Sequence, residues 1–136
     1  MGLPYASMPL KEAVVQCAKS AAFHDPRFKP VSMDESLIIE LSILTKPKEI
    51  KDILKNFNEE IVIGSDGLII DYENNFGILL PQVFLEHNCD PNSALEMLCE
   101  KAGLSSGTWK KENVKIYKFQ TEVFVEKRPA GEIEKK

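Results

Sequence analysis

The chain has 136 residues, with 17 Lys and Arg against 21 Asp and Glu for a formal charge of −4, and its 43% hydrophobic and 28% charged content is that of a globular protein. A domain of this length can bury about 68% of its unfolded surface, so a true core is available to it. The acidic balance argues against a polyanion as main partner and predicts no nucleic-acid binding; the lack of a run of about 18 apolar residues argues against a membrane span.

No basic stretch followed by an apolar run opens the chain, which predicts a cytoplasmic protein. Cys17, Cys89 and Cys99 are odd in number and form no CxxC pair. Neither a disulfide framework nor a metal site is expected from them, and no cofactor is implied.

Pro4 and Pro9 bracket an extended lead-in. Leu10, Ala13, Val14, Cys17, Ala18, Ala21 and Ala22 then recur at helical spacing, predicting a helix over residues 9–23 whose small residues pack closely on a sheet. Pro26 and Pro30 end it. Residues 36–45 (SLIIELSILT) alternate as a strand, and residues 47–57 switch to helical spacing through Ile50, Ile53, Leu54 and Phe57.

The centre of the chain is residues 59–83, EEIVIGSDGLIIDYENNFGILLPQV. Two apolar runs, 61–63 and 68–70, flank Gly64-Ser65-Asp66-Gly67 and predict a hairpin; residues 76–80 follow as a third short run, and Pro81 suits the first position of a helix. Asp90 and Pro91 make an N-cap and N1 pair for a further helix. Leu95, Leu98, Cys99 and Ala102 line its apolar face, Lys101 complements its dipole and Gly103 ends it. Residues 104–113 read as a loop carrying the lone Trp109, residues 114–127 as one long central strand, and residues 128–136 as a frayed charged tail. A tight hairpin with a long terminal strand favours antiparallel pairing, so the fold class is α+β: one domain over residues 1–127 and a tail over 128–136.

Five stretches in this order, Asp25-Pro-Arg-Phe28, Gly64-Ser-Asp-Gly-Leu68, Leu79-Leu-Pro-Gln-Val83, Lys101-Ala-Gly-Leu104 and Tyr117-Lys-Phe119, resemble the AMMECR domain family over nearly the whole chain. The resemblance implies a two-lobed α+β fold with antiparallel strands, a cleft between the lobes and no established catalytic activity. Its prokaryotic members accompany a Memo-like protein and a radical SAM protein, which implies a protein partner of one of those kinds.

The family also has an upstream segment ending in the hexapeptide L-R-G-C-I-G, of which only Gly2 remains here. The signature arginine and cysteine are absent, and none of Cys17, Cys89 or Cys99 takes that position. An N-terminally truncated member is therefore expected: a fragment, a mis-started reading frame, or an adapted form that closes an open sheet edge by self-association.

His24, Asp25 and Arg27 place a base, a carboxylate and a guanidinium in one proline-rich turn. They could bind an anion; alternatively Asp25 caps the turn and Arg27 pairs with a carboxylate such as Asp34 or Glu35. Gln82 follows Pro81, where its amide could hold a ligand or satisfy the backbone. His87, Cys89 and Asp90 form a weak metal pattern better read as a solvated loop, and Asp66 is expected to serve its turn. Trp109 with Lys110 and Lys111 could form a partner-binding spot or fold over the last helix.

The leading expectation is a noncatalytic accessory or binding module acting with partner proteins. The alternative is an enzyme with its active site in the interlobe cleft, where Arg27 and Gln82 hold an anionic or amide-bearing substrate; the catalytic residues are unknown.

Overall fold

The structure, a computed structural model, describes residues 2–136. It is α+β, with four helices, a three-stranded sheet and a four-stranded sheet among the described residues. The chain forms two compact units, one of Met1–Ile43 with Glu122–Lys136 and the other of Leu44–Thr121.

In the first unit, α1 is Leu10–Phe23, entered from Pro9 and closed where the His24 N–H meets the Ser20 carbonyl at 2.9 Å. The helix forms where the spacing predicts, yet none of its residues is buried. Ala13, Val14, Cys17 and Ala22 are half-buried while Ala18 and Ala21 lie exposed, so the expected close packing on a sheet is not found.

The strand expected over residues 36–45 shortens to β1, Glu40–Leu44. Leu37, Ile38 and Ile39 run ahead of it at 44%, 55% and 56% exposure. β6 (Thr121–Glu126) lies between β1 and β7 (Ile133–Lys135). Phe124 pairs with Lys135, Val125 with Glu134 and Glu126 with Ile133. Residues 133–135 are thus a strand, not part of a frayed tail. Charged residues suit a sheet edge; Lys135 reaches inward to Glu122 of β6 at 3.5 Å, and Lys136, just after β7, to Glu40 of β1 at 2.9 Å.

The second unit holds the core. β2 (Lys48–Glu49), β3 (Gly67–Tyr72), β4 (Asn75–Leu79) and β5 (Lys115–Phe119) form an antiparallel sheet in the order β2-β5-β3-β4. Residues 48 and 49 are strand because they pair with Lys118 and Tyr117, and Ile50 extends the ladder by donating to the Ile116 carbonyl at 2.8 Å. The helix expected over 47–57 consequently starts later, as α2, Ile53–Glu60.

The expected hairpin across Gly64–Gly67 does not form. Residues 61 and 62 are not a strand; instead the Val62 carbonyl accepts the N–H groups of Ser65 and Asp66 at 3.1 and 3.0 Å, and Ile61 is buried at 3% exposure. The hairpin is one run further on, where β3 pairs with β4 from Leu68↔Leu79 to Tyr72↔Asn75. Its two-residue turn is Glu73-Asn74, with Glu73 at φ +55°.

The long strand predicted over 114–127 is two strands in two sheets, β5 and β6, broken at Gln120. The break is held by a reciprocal pair: the Thr45 N–H donates to the Gln120 carbonyl and the Gln120 N–H to Thr45 Oγ1, both at 2.9 Å.

α3 (Pro81–Glu86) and α4 (Pro91–Lys101) follow the sequence reading. Asp90 accepts the Ser93 N–H at 2.8 Å and completes a capping box with the Ser93 side chain. At the other end the Gly103 N–H donates to the Glu100 carbonyl and the Leu104 N–H to the Cys99 carbonyl, a Schellman closure for which Gly103 takes φ +75°. Ala94, Leu95, Leu98 and Cys99 are fully buried against the sheet with Leu68, Ile70, Phe84, Trp109 and Ile116. Each buried Leu or Ile side chain contributes roughly 1.5–3 kcal/mol by leaving water. Every buried apolar residue among the described ones lies between Ile50 and Phe119, inside the second unit.

Candidate functional site

Asp25 closes the turn after α1. Its Oδ1 accepts the Arg27 N–H at 3.1 Å and Nε at 3.0 Å, and its Oδ2 accepts Nη2 at 2.7 Å. This two-point clamp, with the backbone bond, holds the Asp25 carboxyl down to about 2 and raises the Arg27 guanidinium. Asp25 is 8% exposed. Arg27 therefore pairs with Asp25 itself, not with the expected Asp34 or Glu35. Its guanidinium carbon also stands 5.4 Å from the centre of the exposed Phe28 ring.

Gln82 lies in the other unit, second in α3 after Pro81, and is half-buried. Its amide makes no hydrogen bond among the described residues. His87 turns Nδ1 to the Val83 carbonyl at 2.9 Å, and burial, with Asp90 nearby, pushes the Cys89 thiol up. No group of three or more metal-binding side chains occurs among the described residues.

Two carboxylates outside the sequence-predicted set are the best-connected polar groups of the second unit. Asp66, 3% exposed, accepts the Val62 N–H on Oδ2 at 2.8 Å and the Gln120 amide on Oδ1 at 2.6 Å. Its turn role was readable from Asp-Gly; the partner 54 residues away was not.

Glu96 projects from α4 and receives three donors. Trp109 Nε1 reaches Oε1 at 2.9 Å, while Ser106 Oγ and the Gly107 N–H reach Oε2 at 2.9 and 3.0 Å. Burial pushes this carboxyl up, but the three donors outweigh it and leave it below the usual glutamate value. Trp109, 1% exposed, packs edge-on against Phe57 of α2 at 5.3 Å and is tied to α4 by its bond to Glu96. Lys110 sits 5.3 Å from its ring centre. Beside this network an open groove of about 630 Å³ runs along α4, lined by Asn92, Ser93, Glu96, Met97, Glu100, Leu104 and Ser106. The signal that could have found Glu96 is the closure at Gly103, which turns the chain back so that residues 106–109 return along the helix.

The first unit offers a surface of another kind. Phe23, Phe28, Met33, Leu37, Ile38 and Ile39 are exposed by 51%, 68%, 102%, 44%, 55% and 56%. No helix of the described residues is long and apolar enough to cross a membrane.

Known proteins match the chain along its length. It is 49% identical to Protein MJ0810 of Methanocaldococcus jannaschii over 100% of its own length and 70% of that protein's. A protein of Aquifex aeolicus is 42% identical over 99% of the chain and 70% of its own length. The crystal structure of uncharacterized protein PH0010 from Pyrococcus horikoshii superposes with a TM-score of 0.93 at 40% identity, covering 98% of this chain and 67% of that one. The chain thus spans about two thirds of the length of these relatives. The AMMECR1 family model matches residues 1–124, and the chain belongs to the AMMECR1 family.

Proposed function

We propose that the chain is a noncatalytic binding module that works beside partner proteins. The observation that carries this reading is the run of exposed apolar side chains from Phe23 to Ile39. Single exposed hydrophobes are ordinary, but six within 17 residues give one segment an apolar character that another protein would cover. Arg27 beside Phe28 adds an arginine and an aromatic, residue types enriched at interface hot spots. The family resemblance implies the partner class, a Memo-like protein or a radical SAM protein. The test is co-purification of a tagged chain with each of those proteins. Capture that is lost in Phe28→Asp and Ile38→Asp supports the module; failure to capture either, together with a metabolite that raises Tm, overturns it.

A second reading, an enzyme, is favoured by the Gln82 amide, which is left without an internal partner. In it Gln82 holds an amide-bearing substrate on the second unit. A ligand whose stabilisation of the chain disappears in Gln82→Ala is the result this reading requires.

A further inference from the structure

We draw no further inference here: the strongest candidate, the open groove along α4 lined by Glu96, Met97, Glu100 and Leu104, carries nothing, because the Glu96 carboxylate is already held by Trp109, Ser106 and Gly107 of its own chain and nothing in the structure shows what covers the groove.

Discussion

Glu96 on α4 holds Trp109 through a 2.9 Å bond to the indole Nε1 and thereby fastens the segment after Gly103 onto the helix it has just left. Three donors stabilise the ionised form, so the folded-state value lies below the unfolded one. Below the ordinary glutamate range the unfolded chain binds the proton more readily. The contribution is complete above the ordinary glutamate value and is lost as pH falls through the lowered folded value. Glu96→Gln should cost about 1–2 kcal/mol at pH 7 and flatten the acid limb of stability against pH, measured by urea unfolding between pH 3 and pH 7. An unchanged acid limb would remove Glu96 from this role.

Asp66 is expected to be the most sensitive polar position of the second unit. Asp66→Ala leaves the Val62 N–H and the Gln120 amide without their acceptor at a site 3% exposed. The expected loss is about 2–4 kcal/mol. Asp66→Asn should lose less, because its carbonyl oxygen still accepts from one of the two donors. Chemical denaturation of both variants checks the order.

Gly77 marks where β4 meets the end of α4. A Cβ there would stand 2.9 Å from Ala102 Cβ and 3.1 Å from the Ala102 backbone nitrogen. Backbone cannot swing aside as a flexible side chain can, so Gly77→Ala should destabilise by about 1–3 kcal/mol. Gly103→Ala meets nothing within 4 Å but is strained by φ +75°. Thermal unfolding of the pair separates a packing cost from a backbone cost: adding Ala102→Gly should recover only the part of the first that comes from the Ala102 Cβ, since the Ala102 backbone stays in place.

What could be read from the sequence was local. Asp90, Pro91, Lys101 and Gly103 sit within a turn of the groups they serve, so both ends of α4 were legible with its buried face. Alternation of residue types carries no record of which sheet a strand joins, so residues 115–126 read as one strand although Gln120 divides them between two. Gly64-Ser-Asp-Gly67 has hairpin composition, but Asp66 spends its carboxylate on Val62 and Gln120, and the hairpin forms instead at Glu73-Asn74. Residues 133–135 looked like tail because charge was read as disorder, when it also marks an edge strand. The Asp25–Arg27 clamp, two residues apart, was within reach of the sequence; the Glu96–Trp109 bond, thirteen apart, was not.

At the turn after α1, the Asp25 carboxyl should titrate near 2 by NMR, held there by Arg27. Arg27→Ala should move it up toward the ordinary value of 3.8. Because the folded value is the lower one, whatever stability the clamp contributes is present above the unfolded value and is lost as pH falls toward 2. An Asp25 that titrates the same with and without Arg27 would show that the clamp does not persist in solution.

Amide hydrogen exchange tests whether the apolar side chains from Phe23 to Ile39 serve as the protein-binding surface proposed for them. The chain would be exchanged alone and with saturating Memo-like or radical SAM partner. Slowed exchange is expected in residues 23–39, lost in Phe28→Asp with Ile38→Asp while the core amides of β3 and α4 keep their protection. Slowing confined to the groove along α4, or no slowing with either partner while a metabolite protects the amides around Gln82, would contradict it.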